Sequence, residues 1–418
     1  MKLGISKDGR RIVDSDGKPW FYLGDTAWEM FNRLTVQEAR HFLGVRARQG
    51  FTAIQAVLLA EFDGLKVGNA RGEVPLVDLD PCKPNEKYFA DCDAMVEETA
   101  RLGMWSAILP TWGDKWNGQW GTGPLVFTPE NAFVYGAYVG RRYRDFPVIW
   151  VLGGDRPVST GGQLDIVRQM ARGIRSASPD QLMTFHPAGG SSSAQAVHGE
   201  DWLDFNMLQT GHTGRDNPVG CMIELDLARE PHRPVLDGEP NYEDHPVMGA
   251  GWKGTGEWFD ALDCRKQAWR AVLAGACGHT YGCHDVWQMW EPKRPVVNEV
   301  RTPWREAIEL PGANQMGHVR RFCEGLAWEK LVGDESLFAE GRGGTPAEEG
   351  RAARASDGSY AALYVPTGRK LRVERKRLRA GLKAEWFDPR TAARREAAEV
   401  EGMFETPSEE DWVLWFRE

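Results

Sequence analysis

Two carboxylates in this sequence follow strand-like runs and come directly after glycine. Asp155 ends the stretch VIWVLGGD, Glu239 ends RPVLDGE, and each is followed by a proline-containing turn. Glycoside hydrolysis needs such a pair, because one carboxyl group protonates the leaving oxygen while the other attacks or stabilises the anomeric carbon. The pattern therefore indicates paired carboxylate chemistry. We expect Gly153 and Gly154 to keep room for a sugar ring beside Asp155.

Two neighbouring residues complicate this assignment. Asp237 lies two positions before Glu239, so in a strand it would point to the same face. Glu239 is preferred because it is closer to the end of the strand. Arg156 directly follows Asp155 and could neutralise it. A barrel that binds glycans without cleaving them is therefore an open alternative.

Other polar and aromatic side chains fall at the ends of predicted strands or in the loops that follow them. Tryptophan offers a flat apolar surface to the C–H face of a sugar, and amides and imidazoles can satisfy its hydroxyl groups. We expect the substrate-binding residues to be Asp25, Trp28, Gln55, Trp112, Trp116, His186, Gln209, His212, Tyr242, Tyr281, His284 and Trp287.

Other hydrolytic chemistries have weaker support in the sequence. A Gly-x-Ser-x-Gly elbow is missing, and none of the cysteines ends a strand with an obvious histidine partner. A metal-dependent hydrolase could use His186, His212 and His284, but the first strand lacks paired histidines and the sequence has no His-Glu-x-x-His motif. We expect no metal and no cofactor, and keep a metal-dependent hydrolase as a less favoured alternative.

The elements that position these residues alternate between strands and helices from about residue 20 onwards. Eight predicted strands, nearly all separated by helices, predict a closed (β/α)8 TIM barrel. The carboxyl ends of all eight strands would then meet at one mouth. Strands four and seven would lie on opposite sides of it, so that Asp155 and Glu239 can face each other. The barrel domain, with an N-terminal hairpin turning at DSDG, is predicted to span residues 1–328.

The C-terminal residues differ from the barrel segment in composition and in the spacing of their apolar residues. The stretch EGRGGTPAEEGRAARASDGS is rich in glycine, alanine and charge, and predicts an exposed loop. Short alternating runs follow, at YAALYVP, KLRVER, KAEWFDP and DWVLWFRE. Residues 329–418 are therefore predicted to form a small antiparallel β-sandwich domain.

Composition limits the classes of partner. The 418 residues carry a formal net charge of -9, which argues against nucleic acid because phosphate binding needs a basic face. The sequence lacks an apolar run of membrane-span length and a signal-peptide core, so we expect a cytoplasmic protein that does not bind a membrane. The seven cysteines form no Cys-x-x-Cys pair, which fits a reducing compartment. We expect an oligosaccharide substrate and leave the oligomeric state open.

The order of the motifs DGKPWFYLGDTAW, VIWVLGGD, RPVLDGEPNYE and GHTYGCHDVWQ resembles the apiosidase-like glycoside hydrolases, which are related to glycoside hydrolase family 140. The resemblance covers roughly residues 10–325, and the tail resembles the collagen-binding-type β-domain that accompanies them. It implies a retaining mechanism with Asp155 as acid/base and Glu239 as nucleophile. Gly154-Asp155 stands where many barrel glycosidases carry Asn-Glu, so another residue must contact the sugar 2-hydroxyl.

Overall fold

The structure, a computed structural model, describes residues 2–418, and parallel strands lie at the centre of its first 330 residues. In this part the strands are β1 (Leu3–Ile5), β2 (Ile12–Asp14), β3 (Tyr22–Thr26), β4 (Ala53–Val57), β5 (Trp105–Leu109), β6 (Val148–Gly153), β7 (Met183–His186), β8 (Ser191–Ser192), β9 (Asn206–Gln209), β10 (Val235–Asp237), β11 (Pro246–Met248), β12 (Gly254–Trp258) and β13 (Gly278–Tyr281).

Helices separate most of these strands. They are α1 (Met30–Arg33), α2 (Val36–Gln49), α3 (Glu86–Arg101), α4 (Pro129–Tyr143), α5 (Gly161–Ala177), α6 (Ala194–Val197), α7 (Val219–Leu227), α8 (Ala261–Leu273), α9 (His284–Trp287), α10 (Trp304–Ala307) and α11 (Pro311–Glu324). Short 3-10 helices cover Val77–Leu79, Gly113–Lys115, Trp328–Lys330, Glu335–Leu337 and Pro346–Glu348.

The central strands form two parallel ladders. One has six strands in the order β13-β3-β4-β5-β6-β7, and the other pairs β9 with β10. Backbone hydrogen bonds join the ladders on both sides, from Asp204 N to Met183 O at 2.8 Å and from Cys277 N to Val235 O at 2.8 Å. Because these strands run in one direction, their carboxyl ends lie at one edge, which is called the carboxyl edge below.

Local sequence signals fix where the helices begin and end. Thr35 and Glu38 form a reciprocal capping box at the start of α2, and Gly50 ends that helix at a φ of 95°. Thr128 caps α4, with Pro129 in its first turn. These caps satisfy the free N–H groups of the first turn, and glycine takes up a left-handed conformation without steric cost. Each of these signals can be read from the sequence, because it depends only on residues within or next to its own helix.

The N-terminal hairpin differs from its prediction. Strands β1 and β2 pair antiparallel across residues 6–11, which lie before the predicted turn. The DSDG segment also turns, but it joins Val13 to Pro19 only through an isolated bridge. Pro19, two residues after this segment, has no N–H for a longer ladder.

The C-terminal residues form two antiparallel sheets. Their strands are β14 (Leu331–Gly333), β15 (Phe338–Glu340), β16 (Arg351–Ala355), β17 (Ala361–Val365), β18 (Lys370–Val373), β19 (Lys383–Phe387), β20 (Arg394–Glu396), β21 (Glu399–Val400), β22 (Met403–Glu405) and β23 (Trp412–Arg417). The orders are β14-β16-β17-β23-β19-β20 and β15-β18-β22-β21. Both sheets contribute to one apolar core, in which Leu363 and Leu414 meet Leu371 and Phe404.

The predicted exposed loop is wrong over part of its length, because it contains the buried strand β16. Alanines 352, 353 and 355 are fully buried in this strand. Its two arginines are neutralised by carboxylates: Arg351 pairs with Glu224 and Glu335, and Arg354 pairs with Asp334 at 2.7 Å. Charge and alanine content mislead here, since long arginine side chains can be buried when their charge is paired.

The C-terminal sheets pack against α8 of the first part. Arg265 on α8 donates two hydrogen bonds of 2.8 Å to Asp411, and both side chains are buried. Trp269, one turn further along, stacks on Tyr364 at a ring distance of 6.0 Å. These contacts join the C-terminal sheets to α8, one of the helices that separate the parallel strands. Over residues 2–418, none of the helices is long and apolar enough to cross a membrane.

Candidate active site at the carboxyl edge

Glu239 lies just past the end of β10 and is held by two histidines. His212 Nε2 is 3.0 Å from Glu239 Oε1, and His186 Nε2 is 2.9 Å from Oε2, although the second pair is poorly aligned for a hydrogen bond. Burial by itself would raise the pKa of Glu239. The close approach of His186 and His212 outweighs burial and lowers the pKa to about 2. Glu239 is therefore ionised at neutral pH.

His186 connects the two carboxylates that the sequence singles out. The backbone N–H of Asp155 donates to His186 Nδ1 at 3.1 Å. Because Nδ1 accepts, the proton of a neutral imidazole must sit on Nε2, which faces Glu239. One ring thus fixes the position of the Asp155 backbone and presents its N–H to Glu239.

Asp155 is partly open to solvent, with a quarter of its side chain exposed. Its Oδ2 accepts from Arg156 Nη1 at 2.7 Å and from Trp120 Nε1 at 3.4 Å. Burial, followed by repulsion from Glu239, raises the pKa of Asp155, while Arg156, His186 and Gln209 act in the lowering direction. The net shift is upwards, opposite to that of Glu239.

The two glycines before Asp155 serve the backbone and not the sugar. Gly153, Gly154 and Asp155 all have left-handed φ, at 93°, 95° and 60°. A Cβ on Gly153 would lie 2.3 Å from His186 O, and one on Gly154 would lie 2.6 Å from Gly113 N. The expectation that they clear space for a ring is therefore wrong, because the space is already filled by neighbouring backbone.

Aromatic rings line the wall between the histidines. Trp28 packs against Trp112 and His186, each at a ring distance of 5.3 Å, and donates from Nε1 to Tyr242 Oη at 3.0 Å. Tyr242 lies 4.5 Å from the His212 ring. These predicted site residues therefore come together around Glu239. They are almost fully buried, so their main contact is with one another.

Three predicted contacts are misplaced, because their side chains point away from the carboxyl edge into the helix layer. Asp25 accepts from Arg46 Nε of α2 at 2.8 Å, and both side chains are fully buried. Tyr281 donates to Glu243 at 2.6 Å. Trp116 donates to Gly153 O at 3.1 Å. We replace the expected sugar contacts of Asp25, Tyr281 and Trp116 with structural roles.

Three further predicted residues have their polar atoms occupied by protein. Gln55 accepts from Tyr22 at 3.1 Å and donates to Gly238 O at 3.0 Å, directly before Glu239. His284 accepts from Trp287 Nε1 at 3.1 Å, and its Nε2 lies 2.9 Å from Asn298 O. These contacts use both ring nitrogens of His284 and the indole N–H of Trp287, while Gln55 keeps one N–H and one lone pair. The three residues therefore hold the site together.

Replacing Asp25 tests its structural role. Asp25→Ala is expected to lower the free energy of unfolding by about 3–5 kcal/mol, because it leaves the Arg46 guanidinium buried without its partner. Urea denaturation measures this loss, with the exposed Asp16→Ala as the matched control. A variant as stable as wild type, with ligand binding alone impaired, would contradict the structural role.

The structure also brings in residues that sequence reasoning missed. Glu61, four residues past β4, lies 3.6 Å from Arg156 Nη2, and burial together with the charge of Asp155 raises its pKa to about 8. His245 stacks on His212 at 4.3 Å. Trp120 and Trp252 are 55% and 52% exposed. A sequence feature that could have indicated these residues is a carboxylate or aromatic residue several positions past the end of a strand, in a long loop that returns to the carboxyl edge.

The histidines named for a metal-dependent hydrolase have other partners in the structure. In the described part of the chain, residues 2–418, no group of three or more His, Cys, Asp or Glu side chains is arranged to hold a metal ion. The predicted ligands are instead committed to other partners: His186 and His212 contact Glu239, and His284 contacts Trp287 and the carbonyl of Asn298.

Comparison with solved structures places this architecture. A protein named "Glycoside hydrolase" is 27% identical, with a TM-score of 0.90 over 100% of this chain and 97% of its own. A glycoside hydrolase family 5 protein from Bacteroides vulgatus ATCC 8482 is 26% identical, with a TM-score of 0.91 over 100% and 93%. A glycoside hydrolase family 5 mannosidase from Rhizomucor miehei shares the fold at 12% identity, with a TM-score of 0.55 over 78% and 99%. The search of curated proteins found no match.

This chain therefore shares its fold, with parallel strands and carboxylates at their carboxyl edge, with glycoside hydrolases. The family model "Apiosidase-like, catalytic domain" matches residues 6–330, and the chain belongs to this family. Residues 332–417 match the family "Putative collagen-binding domain of a collagenase". The resemblance noted in the sequence is confirmed for both parts.

Proposed function

We propose that the chain is a retaining glycoside hydrolase in which Glu239 is the nucleophile and Asp155 the acid/base. The observation that carries the proposal is that His186 connects Asp155 to Glu239 at the carboxyl edge, and the two pKa shifts, which are opposite in direction, agree with it. Retention requires an ionised carboxylate to attack the anomeric carbon and a protonated acid to release the leaving group. Burial and repulsion favour the proton on Asp155, while two histidines keep Glu239 ionised.

We also propose that the eight parallel strands close into a (β/α)8 barrel. Support comes from the backbone hydrogen bonds that join the β9–β10 pair to β7 on one side and β13 on the other. Closure would bring the ends of β6 and β10 across one mouth, where His186 already links Asp155 to Glu239. The division into domains 1–328 and 329–418 stays a prediction.

In this reaction Glu239 is the nucleophile, and Asp155 acts first as an acid and then as a base. Glu239 attacks the anomeric carbon and forms a glycosyl-enzyme, while Asp155 gives its proton to the departing oxygen. Asp155 then takes a proton from water, which displaces Glu239 and restores both groups. His212 and His186 hold the carboxylate in position for attack. Gln209, at the end of β9, has a buried side-chain oxygen without a hydrogen-bond partner and is a candidate contact for the sugar hydroxyl that lacks the usual Asn partner.

The substrate class follows from the family. Its description names apiosidase-like proteins, and we propose an oligosaccharide carrying an apiose or a similar branched sugar, as in pectic side chains.

The test is to incubate the protein with p-nitrophenyl glycosides, including the apioside, and with pectic oligosaccharides. Proton NMR of the first-formed product reads its anomeric configuration. Release of one sugar with retained configuration supports the proposal, and inversion contradicts it.

A non-catalytic glycan-binding protein is the second candidate, and Arg156 favours it. The guanidinium lies 2.7 Å from Asp155 Oδ2, a distance typical of a charge-assisted bond to an ionised carboxylate. If Arg156 keeps Asp155 ionised, the acid is lost and only binding remains. Calorimetry with pectic oligosaccharides separates the two, since binding without any release of sugar supports this second candidate.

Removing one histidine should move the acidic limb of the activity profile. His212→Phe is expected to raise the pKa of Glu239, because it removes a hydrogen bond that favours the ionised form. Glu239 is then protonated as pH falls through a higher value, and the acidic limb of kcat/KM shifts up by about one pH unit. The control is His41→Phe on α2, where the profile should stay unchanged. An acidic limb that stays in place in His212→Phe would contradict the assignment of Glu239.

A further inference from the structure

Trp120 differs from the tryptophans that the sequence assigns to sugar binding. Trp28, Trp112, Trp116 and Trp287 are each at most 7% exposed, whereas Trp120 is 55% exposed. Its Nε1 lies 3.4 Å from Oδ2 of Asp155, the proposed acid. Trp120 is therefore an open aromatic surface next to the carboxyl group that would meet the leaving oxygen.

One face of the Trp120 indole is covered by the protein. The guanidinium of Arg156 lies 4.9 Å from the centre of the ring, a cation–π contact, and is itself fully buried. Arg156 Nε also donates to Gln119 O at 2.9 Å and to Trp120 O at 3.2 Å. The same side chain thus supports the ring, holds its backbone and contacts Asp155, which leaves the opposite indole face for solvent or a ligand.

The loop that carries Trp120 is built from buried charges. Lys115 Nζ is buried and donates to Asp114 at 2.9 Å, to Gly123 O at 3.0 Å and to Phe62 O at 3.1 Å. Asp114 also accepts from the backbone N–H of Gly123 at 3.0 Å. Asp114 Oδ1 is buried without a partner, but the bonds of Lys115 Nζ and Asp114 Oδ2 compensate for burying the ion pair and hold the loop in this conformation. An exposed tryptophan on a loop fixed in this way indicates a binding surface.

We propose that Trp120 forms the floor of the leaving-group subsite, where the sugar released by protonation from Asp155 stacks on the outward indole face. This inference rests on the proposed glycosidase function. A leaving group must lie beside the acid, and Trp120 is the exposed aromatic side chain that hydrogen-bonds to it. The other exposed tryptophan, Trp252, lies beside His212, at a ring distance of 6.5 Å, on the side of Glu239.

The test compares two leaving groups in Trp120→Ala. On a pectic oligosaccharide that the wild type cleaves, kcat/KM should fall by about tenfold, mainly through KM, because ring stacking is lost. On the glycosyl fluoride of the same sugar, the leaving group has no ring, and kcat/KM should change less than twofold. Equal losses on both substrates, or no loss on either, would overturn the proposal. Phe133→Ala, which removes an exposed aromatic side chain of α4, is the control for folding and general surface effects.

Calorimetry separates this inference from the proposed function. If the wild type cleaves nothing, the glycosidase proposal fails, but binding of the pectic oligosaccharide still reports on Trp120. Binding that is about tenfold weaker in Trp120→Ala than in the wild type and Phe133→Ala supports the stacking surface. Equal binding by all three proteins, or no binding by any, overturns it.

Discussion

Replacement of Glu239 by alanine is expected to lower kcat on the cleaved glycoside by about four orders of magnitude or more. The variant has no carboxylate to attack the anomeric carbon, although Asp155 can still protonate the leaving group. Two histidines that held the carboxylate remain, so the space it leaves is lined by N–H donors. Added azide should enter this space and restore turnover on an activated aryl glycoside.

The configuration of the azide product identifies the role of Glu239. One displacement by azide at the anomeric carbon gives a glycosyl azide inverted relative to the substrate, which NMR detects. Asp237→Asn is the matched control, since Asp237 lies two residues earlier and is bound by Thr210 Oγ1 at 2.7 Å. This control should keep kcat within about tenfold of wild type. Full activity of Glu239→Ala, or a retained azide product, would contradict the assignment.

The sequence predicts the central strands well because alternation and capping are local properties. Buried runs such as VIWVLG in β6, and caps such as Thr35 and Thr128, depend on residues within one element. The resemblance to known families also predicts correctly the apiosidase-like catalytic domain and the collagen-binding-type domain. The failure at β16 has a partly long-range cause, since the buried Arg351 is neutralised by Glu335 and by Glu224, which is more than a hundred residues away.

Site prediction fails where one position decides the face of a strand. Side chains alternate along a strand, so Asp25 points to the helices while Thr26, the next residue, faces the other way. The boundary of a strand cannot be read to one residue from sequence, so the prediction places Asp25 and Tyr281 on the wrong side of their strands. Arg46 and Glu243, the partners that claim them, lie on other elements.

Loop residues were missed for a related reason. Trp120 and Glu61 reach the site through loops whose course is set by distant contacts, such as those of Lys115 with Phe62 O and Gly123 O. The sequence shows the two glycines before Asp155 but not why glycine is needed there. The reasons are the left-handed backbone at 153–155 and the close approach of Gly113 N and His186 O. Spacing along the chain contains no information about such approaches.

Replacement of Asp155 should affect poor leaving groups far more than good ones. Asp155→Gly is the suitable variant, because Asp155 has a φ of 60° and glycine adopts this conformation without strain. On a pectic oligosaccharide, kcat/KM should fall by about 10²–10⁴-fold, the contribution of general acid catalysis. On a glycosyl fluoride, formation of the glycosyl-enzyme needs little protonation, and kcat/KM should stay near the wild-type value.

The second half of the reaction gives the decisive readout on Asp155. Without a base to activate water, the glycosyl-enzyme on Glu239 should accumulate and be visible by mass spectrometry of the intact protein. Azide needs no base, so it should release the sugar as a glycosyl azide of retained configuration, opposite to the product of Glu239→Ala.

The descending limb of the kcat/KM profile at high pH, which reports loss of the Asp155 proton, should disappear as well. Asp155→Asn, which also tolerates a positive φ but fills the space, should show the same leaving-group dependence with little azide rescue. A uniform loss on all substrates, with no accumulated intermediate, would assign Asp155 to binding and favour the non-catalytic reading in which Arg156 keeps it ionised.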